Sequence, residues 1–303
     1  MDLGSVEAWR PEVRCCPACG ADRFARLGRR GGPSHHLGLG VETTIVRCRR
    51  CHLVYPRPFL LPKANPYESY VPEDYFHAHD PARKLAAGVS LARRATQILG
   101  RTGELLELGC GRGELLEGAR QEGWRVSGVD MTPAFAGVRP ELRVEIAPVD
   151  RARSLERTYD VVYLAAILEH VYEPADVLRR VGGALTDGGL VFIDVPNECS
   201  LWTRVGNAYM AARGRDWAVN LSPTFPPFHV VGFCPRSLRR LLERCGFSVV
   251  ELRTHRWQNE LPRRPGIRSG VERWSADAVL TLGWRLGMGA GITCWARKTR
   301  HPY

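Results

Sequence analysis

Lysine, long apolar runs and clustered charge are scarce in this sequence, and each scarcity excludes a class of protein. Only three of the 43 basic residues are lysines, and the arginines are scattered among 32 acidic residues. The net charge of +11 therefore lacks the concentrated basic face of nucleic-acid-binding proteins, so we expect no nucleic-acid partner. No run approaches ~18 consecutive apolar residues, so the sequence predicts neither a membrane span nor a membrane partner.

A secretory leader is also missing from residues 1–14, which mix charged and apolar side chains. Such a leader needs a basic start followed by an apolar run. The sequence therefore indicates a cytoplasmic protein. Its 303 residues are enough for one large domain and one small domain.

Ten cysteines are present, and four of them form two Cys-x-x-Cys pairs, Cys16/Cys19 and Cys48/Cys51. In a cytoplasmic protein this spacing favours a metal, because each pair turns two thiolates toward one ion and two pairs complete a tetrahedral shell. We predict a structural Zn²⁺ site here, with a strand at 41–47 leading into the second pair. Two alternatives remain open, namely reduced cysteines without metal and the exchange of one ligand for a nearby donor: Cys15, His35, His36 or His52.

Five prolines between residues 56 and 72 indicate an extended connector, because proline interrupts helices and central strands. The aromatic cluster that follows either packs on the next domain or covers a ligand: Tyr67, Tyr70, Tyr75 and Phe76. The predicted organisation is a zinc-binding module at 1–57, a Pro- and Tyr-rich connector at 58–82 and a large domain at 83–303.

From residue 83, predicted helices and strands alternate, which is the pattern of an α/β fold with a parallel sheet and helices on both faces. Predicted strands cover 105–108, 126–129, 142–146, 160–165, 190–195, 247–252 and 292–296. Predicted helices cover 85–99, 114–121, 175–185, 238–244 and 281–286. The irregular stretch 197–234 follows the fifth strand, where a cover over the substrate would sit.

A glycine-rich turn at 109–113 follows the first strand, at the sheet edge where open α/β sheets bind ligands. Alone, such a turn suits a dinucleotide, a mononucleotide or a sulfonium cofactor, or is only structural. Glu107 before it suits an ammonium group, whereas Glu114 stands where a dinucleotide site has glycine and would oppose a pyrophosphate. Asp130 closes the second strand, where an acid accepts both hydroxyls of a ribose. Together these residues favour a sulfonium cofactor.

Several segments resemble the successive motifs of class I S-adenosylmethionine-dependent methyltransferases: 107–113, 129–130, 159–162 and 168–171. The Leu-Glu-His-Val stretch at 168–171 is similar to that of ubiquinone-pathway methyltransferases. Residues 16–76 resemble a bacterial subfamily with an N-terminal zinc ribbon. The resemblance covers nearly the whole chain and implies a Rossmann-like, seven-stranded sheet. It also implies contacts to S-adenosylmethionine from Glu107, Gly109, Cys110, Gly111, Gly113, Asp130, Met131, Asp150, Leu164 and Ala165.

Methyl transfer to a hydroxyl, an amine or an acidic carbon needs a base that removes a proton. We rank His229 first because it lies in the predicted cover, then His170 after the fourth strand, and then Glu169. Alternatively, each of these side chains only satisfies a nearby backbone group. Some quinone O-methyltransferases bind a divalent cation through an acid three residues before this Glu. Ala166 holds that position here, which argues against a catalytic metal, and the sequence leaves open whether a divalent cation is used.

The segment 197–234 interleaves aromatic residues with arginines: Trp202, Tyr209, Trp217, Phe225, Phe228, Arg204, Arg213 and Arg215. This combination predicts a pocket for a ring-bearing or anionic acceptor, or alternatively a helical cap over the sheet edge. Asp194 and Asn197 are candidates for positioning the acceptor.

The sequence thus predicts a methyltransferase acting on a small molecule, such as a sugar, a polysaccharide precursor or a natural product. One alternative is a nucleic-acid methyltransferase that docks through its zinc module. The other is a non-catalytic or NAD-type nucleotide-binding protein. The oligomeric state is not specified by the sequence.

Overall fold

The structure is a computed structural model, and it describes residues 4–67, 80–135, 137–256 and 267–299. Three members of the predicted aromatic cluster, Tyr70, Tyr75 and Phe76, lie outside the described residues. Within the described part, no helix combines the length and hydrophobicity needed to cross a bilayer.

Short strands build the described N-terminal part of the chain. They are β1 (Trp9–Glu12), β2 (Phe24–Arg30), β3 (Thr43–Cys48), β4 (Val54–Pro56) and β5 (Phe59–Pro62). Strands β2, β3 and β4 form an antiparallel sheet, and β5 pairs with β1 in a second, two-stranded sheet. The region that the sequence assigns to an extended connector therefore begins with a strand that pairs with the N-terminal strand.

A seven-stranded sheet forms the centre of the large domain. Its strands are β6 (Glu104–Leu108), β7 (Arg125–Asp130), β8 (Arg143–Ile146), β9 (Tyr159–Ala165), β10 (Leu185–Pro196), β11 (Phe247–His255) and β12 (Gly291–Lys298). Their order is β11-β12-β10-β9-β6-β7-β8. The predicted α/β fold with a Rossmann-like, seven-stranded sheet is confirmed.

The predicted parallel arrangement is found in the sheet except at its last strand. Strand β12 runs antiparallel to both of its neighbours, β10 and β11. The chain leaves β11 and returns through a helix that brings β12 back into the sheet in the opposite direction. The alternation of helices and strands along the sequence gives the number of strands but not their direction. Only the three-dimensional structure therefore decides the direction of β12.

The helices of the described residues accompany the sheet. They are α1 (Pro81–Leu99), α2 (Glu114–Gln121), α3 (Pro174–Ala184), α4 (Leu201–Ala212), α5 (Pro235–Arg244) and α6 (Ile267–Arg285). Helix α4 lies inside the stretch that the sequence leaves irregular, and α6 is far longer than the predicted helix at 281–286. Helix α4 begins at a serine N-cap, Ser200, whose hydroxyl accepts a hydrogen bond from the amide of Thr203.

The N-terminal strands pack directly on residues 216–233 of the large domain. Val54 and Gly232 exchange two backbone hydrogen bonds, of 2.9 and 2.7 Å. The Thr224 hydroxyl accepts a hydrogen bond from the Val41 amide and donates one to the Val41 carbonyl. The buried guanidinium of Arg30 lies 5.2 Å from the ring centres of both Trp217 and Phe225. The predicted module and the predicted cover are therefore joined by main-chain and side-chain contacts.

Helices α1 and α2 approach each other closely through glycines. A Cβ on Gly88 would lie 2.4 Å from the Leu115 carbonyl oxygen, and a Cβ on Gly118 would lie 2.4 Å from that of Leu85. By contrast, a Cβ on Gly183 of α3 would meet no atom within 4 Å. The two glycine environments allow a matched test of the packing.

We predict that Gly88→Ala destabilises the protein by about 2 kcal/mol or more, because the backbone of α2 has to move to admit the methyl group. The control Gly183→Ala should instead stabilise the protein by about 0.5–1 kcal/mol, since alanine restricts the unfolded chain and meets no obstacle. Urea unfolding followed by circular dichroism measures both changes. Equal effects of the two substitutions would contradict the close approach of α1 and α2.

Candidate active site and metal centre

The four paired cysteines converge on one point in the N-terminal part. The sulfur atoms of Cys16 and Cys51 lie 3.5 Å apart, as do those of Cys19 and Cys48, and all four are within 4.8 Å of one another. Zinc–sulfur bonds of about 2.3 Å in a tetrahedron separate the sulfurs by roughly 3.8 Å, so the cluster has the dimensions of a four-cysteine zinc site. All four side chains are buried.

The other donors that the sequence left open do not join this cluster. Among the described residues, the only groupings of metal-binding side chains are the four cysteines and a second set in the large domain. Cys15 is exposed, and the His35 ring instead contacts those of His36 and Phe225. The geometry therefore favours the four-cysteine set.

A cleft of about 1090 Å³ opens at the carboxyl ends of the parallel strands, the edge where open α/β sheets bind ligands. Most of the predicted cofactor-binding residues line it: Glu107, Gly109, Cys110, Gly111, Asp130, Met131, Asp150 and Ala165. Gly113 and Leu164 do not line it. Gly113 precedes α2 in a left-handed conformation, and Leu164 is buried in the sheet core.

The glycine-rich turn is held in place by the carboxylate of Asp130. One of its oxygens accepts a hydrogen bond of 2.8 Å from the Gly111 amide, and the other accepts one of 2.9 Å from the Thr132 amide. Gly109 has a φ of +74°, and a Cβ there would lie 2.0 Å from Cδ1 of Ile167. Only glycine fits at this position.

Glu107 is a buried acid whose carboxylate faces the cleft. Its side chain is 2% exposed, and one of its oxygens has no hydrogen-bond partner. Burial raises the pKa of Glu107 well above its usual value. A buried carboxyl with an open hydrogen-bonding position is suited to a cationic ligand, because an ammonium group would supply both the charge and the missing donor. The methionine amine of S-adenosylmethionine has this chemistry, so the residues present fit the cofactor.

The opposite side of the cleft is aromatic and contains His170. The Tyr67 hydroxyl lies 3.1 Å from Nδ1 of His170, and the Tyr67 and Phe228 rings meet edge to face at 5.4 Å. Burial lowers the pKa of His170 to about 4, so its imidazole is neutral at pH 7. Phe228 and Ala166, both on the cleft wall, have the left-handed backbone conformation that non-glycine residues rarely adopt.

The ring of His229 stands behind that of His170 and does not line the cleft. The two rings meet edge to face with centres 4.8 Å apart, and the His229 amide donates to the Ser222 hydroxyl. Burial lowers the pKa of His229 to about 3. Of the two histidines ranked by sequence, His170 is therefore the one that borders the cleft.

Glu169 is almost fully buried beside these histidines. Its carbonyl oxygen accepts hydrogen bonds from the amides of Val230 and Val231, and one carboxylate oxygen has no partner. Burial raises the pKa of Glu169 to about 8. Glu169, His170 and His229 each offer one donor atom within 4.8 Å of the others, so together they have the donor types of a divalent-cation site.

A second histidine on the cleft wall has no motif that would reveal it in the sequence. Nε2 of His255, at the end of β11, lies 2.9 Å from Oδ1 of Asp194 on β10. Burial lowers the pKa of His255, but the hydrogen bond that its ring donates to the Asp194 carboxylate, together with the negative charge of that group, raises the pKa above its ordinary value. The two residues are 61 positions apart, and only the sheet order brings them together.

Of the two alternatives for the segment 197–234, the pocket lined by its arginines is wrong, whereas a helix is present at 201–212. Arg204, Arg213 and Arg215 are exposed and do not border the cleft, because they lie on or just after α4, at the outer surface. The basic side chains that do border the cleft come from other elements: Arg83, Lys84, Arg180 and Arg256. Of the predicted aromatic residues, Phe228 lines it, together with Tyr67 and Tyr172 from outside the predicted cover.

Comparison with known proteins agrees with this geometry. A family model described as a methyltransferase domain matches residues 76–252, more than half of the chain. The chain belongs to this family, and its sheet is that of the class I S-adenosylmethionine-dependent methyltransferases.

Two curated relatives are ubiquinone biosynthesis O-methyltransferases. The protein of Aeromonas salmonicida is 32% identical over 158 residues, which are 49% of this chain and 64% of the relative. The protein of Pseudomonas savastanoi pv. phaseolicola is 34% identical over 131 residues, which are 40% and 53%. The matches thus span only about half to two thirds of these relatives.

Solved structures show the same fold. The plantazolicin methyltransferase BpumL, in complex with a triazolic desmethylPZN analog and SAH, superposes with a TM-score of 0.52. The match covers 78% of this chain and 92% of that one at 14% identity. At this identity the likeness concerns the fold alone.

We predict that Glu169→Gln changes how stability depends on pH. The pKa of Glu169 is about 8 in the folded protein against an ordinary 4.5, so the folded state keeps a proton that the unfolded chain loses between these values. Raising the pH from 5 to 8 should therefore destabilise the wild type relative to the variant by about 1.4 kcal/mol per unit.

Urea unfolding at several pH values in this range measures the difference. The surface substitution Glu141→Gln serves as the control and should follow the wild type. Parallel curves for the wild type and Glu169→Gln would show that this carboxyl is not held protonated by burial.

Proposed function

We propose that the protein transfers a methyl group from S-adenosylmethionine to a small molecule, with a histidine as the general base. The observation that carries this proposal is the composition of the cleft. One half of the cleft has the glycine turn, an acid at the position that accepts ribose hydroxyls (Asp130) and a buried carboxyl suited to a cation (Glu107). The other half has aromatic rings and a neutral histidine. A donor and an acceptor held in these halves would be adjacent, which supplies much of the rate of a displacement reaction.

Each cofactor-binding residue has a definite role in this proposal. Asp130 accepts the ribose hydroxyls, Glu107 receives the methionine amine, and the turn at 109–111 lets the cofactor approach the backbone. Met131 and Asp150 flank the adenine, and Ala165 forms the floor beside the reacting group. The bound cofactor supplies an electrophilic methyl group on a positively charged sulfur.

His170 is the proposed base, with His229 packed behind it. Its neutral imidazole is available at pH 7, and the Tyr67 hydroxyl on Nδ1 fixes the orientation of the ring. An imidazole with a pKa of about 4 is a weak proton acceptor, so it best serves an acceptor whose own proton is acidic. This reasoning favours a phenol-like or otherwise acidic acceptor over a simple alcohol.

The aromatic wall supports a ring-bearing acceptor. Tyr67, Tyr172 and Phe228 offer faces and edges on which a planar ring can stack. On another wall, Asp194 favours the protonated form of His255, which can donate a hydrogen bond to an oxygen of the acceptor. The two curated relatives, named for ubiquinone biosynthesis, give further support to a small-molecule acceptor.

The four-cysteine cluster is proposed to hold a structural Zn²⁺. Four thiolates would complete the coordination of the ion, leaving no position for substrate. The buried cysteines belong to the same apolar core as Leu106 and Leu108 of β6, so the metal would hold the N-terminal strands against the large domain. On this basis we propose that the module, the connector and the methyltransferase domain act as one unit.

The first test of the function measures binding of S-adenosylhomocysteine by calorimetry. The wild type should bind, and Asp130→Ala should weaken binding by at least about tenfold, because the ribose loses a charged acceptor of its hydrogen bonds. Absence of binding to the wild type would refute the proposal.

The base is tested separately with His170→Ala. This variant should bind S-adenosylhomocysteine normally while turnover, followed by mass shift on a panel of phenolic acceptors, falls about 100-fold or more. His229→Ala should have a smaller effect on turnover. If His229→Ala proves the more damaging of the two at equal cofactor affinity, His229 is the base.

The metal is tested by elemental analysis of the purified protein. Wild type should contain one zinc per chain, and Cys48→Ser should lose most of it and unfold at lower urea, because three ligands hold the ion more weakly than four. Cys15→Ser, which changes the exposed neighbouring cysteine, should retain full zinc and stability. Zinc-free wild type, or full occupancy in Cys48→Ser, would rule out the site.

A further inference from the structure

Four side chains form a row across the large sheet, and the row ends at the cofactor side of the cleft. Glu107 on β6 is the register partner of Tyr163 on β9. Tyr163 is in turn paired with Phe192 on β10, and Phe192 with Trp295 on β12. Register partners on neighbouring strands lie side by side on one face of a sheet. Glu107 and Phe192 line the cleft, and Tyr163 stands between them in the row.

The ring of Tyr163 is held by its aromatic neighbours. It meets the Phe192 ring edge to face with centres 5.6 Å apart, and the Trp295 ring edge to face at 6.0 Å. The Tyr163 side chain is fully buried in the apolar core that lies under α1. Packing of the ring therefore sets the position of its hydroxyl, and water does not reach it.

Two buried polar atoms in this row have no hydrogen-bond partner, namely the Tyr163 hydroxyl and one carboxylate oxygen of Glu107. Buried polar groups are nearly always paired, because an unpaired one has lost its water and gained nothing in return. The two groups belong to register partners, and a hydroxyl is a donor where a carboxylate is an acceptor. Each therefore has the chemistry that the other lacks.

The two groups also influence each other electrostatically. Burial raises the pKa of Tyr163, and the negative charge of Glu107 raises it further, so this hydroxyl keeps its proton and can act as a donor. Burial also raises the pKa of Glu107, which makes its ionised form costly in the free protein. A cationic ligand needs that ionised form, so a donor beside Glu107 would favour binding.

We propose that Tyr163 positions the Glu107 carboxylate for the amine of the cofactor, by donating a hydrogen bond to it once Glu107 is ionised. A turn of the Glu107 side chain directs one oxygen to the fixed Tyr163 hydroxyl and leaves the other for the ammonium group in the cleft. Tyr163 acts through Glu107 and does not itself touch the cofactor, so it is a positioning residue. The inference rests on the role of Glu107 in the proposed function.

The first test compares cofactor affinity with stability in Tyr163→Phe, which keeps the ring and removes only the hydroxyl. Calorimetry at pH 7 should show binding of S-adenosylhomocysteine weakened about tenfold, because a hydrogen bond to a charged group is lost. Urea unfolding of the free protein should show no loss of stability, since the hydroxyl has no partner there. Lower stability with unchanged affinity would reduce Tyr163 to a structural role and overturn the proposal.

Tyr159→Phe is the matched control. Tyr159 is also a buried tyrosine of β9, but it is the first residue of the strand, at the end away from the cleft. This variant should bind S-adenosylhomocysteine like the wild type. Equal weakening in Tyr159→Phe and Tyr163→Phe would contradict a specific action on Glu107.

The pH profile of binding separates positioning from packing. Wild-type affinity should rise with pH and level off above the pKa of Glu107, because only the ionised carboxyl attracts an ammonium group. Loss of the Tyr163 donor raises the pKa of Glu107, so the levelling-off should move to higher pH in Tyr163→Phe. The substitution leaves in place the other charged or titratable groups that face Glu107: Lys84, Cys110, Glu114 and Asp130. A uniform loss of affinity at every pH would overturn the proposal.

A double-mutant cycle with Glu107→Gln identifies the route of the effect. In this background Tyr163→Phe should weaken binding less than about threefold, because the charge on which Tyr163 acts is gone. A tenfold loss in both backgrounds would show that Tyr163 does not act through Glu107. If the wild type does not bind S-adenosylhomocysteine, the proposed function fails and this inference with it, whereas wild-type affinity in Tyr163→Phe overturns this inference alone.

Discussion

One short segment, residues 230–233, joins three parts of the molecule through backbone hydrogen bonds. The amides of Val230 and Val231 donate to the carbonyl of Glu169, in the motif after β9. Gly232 exchanges two hydrogen bonds with Val54 of the N-terminal sheet, and the Phe233 carbonyl accepts one from the Glu198 amide after β10. A Cβ on Gly232 would lie 2.1 Å from the Glu198 side chain, so this meeting of three elements requires glycine.

This junction explains why the proposed acceptor side of the cleft is assembled from distant parts of the chain. Phe228 precedes the segment, His170 follows Glu169, and Tyr67 comes from the chain beyond the N-terminal strands. The backbone hydrogen bonds of residues 230–233 connect the elements from which these residues come. The cofactor side is different, because Glu107, Gly109 and Asp130 sit at the ends of adjacent parallel strands and need only the sheet.

The two sides also differ in electrostatics. Glu107 is a buried acid with an open hydrogen-bonding position, as expected where a cation binds. On the acceptor side, burial keeps His170 neutral, while Asp194 favours the protonated form of His255. In the proposed reaction, the neutral imidazole of His170 would deprotonate an acceptor that the protonated His255 on another wall orients.

The sequence by itself determined the features that depend on neighbouring residues. The Cys-x-x-Cys pairs, the glycine turn with Glu107, the acid that ends β7 and the alternation of helices and strands are local patterns, and each corresponds to an element of the structure. Only the tertiary structure decided the antiparallel direction of β12, the position of His229 behind His170, the Asp194–His255 pair and the outward placement of the α4 arginines. These features arise from contacts between residues far apart in the chain, where burial and packing, rather than local spacing, choose the partner.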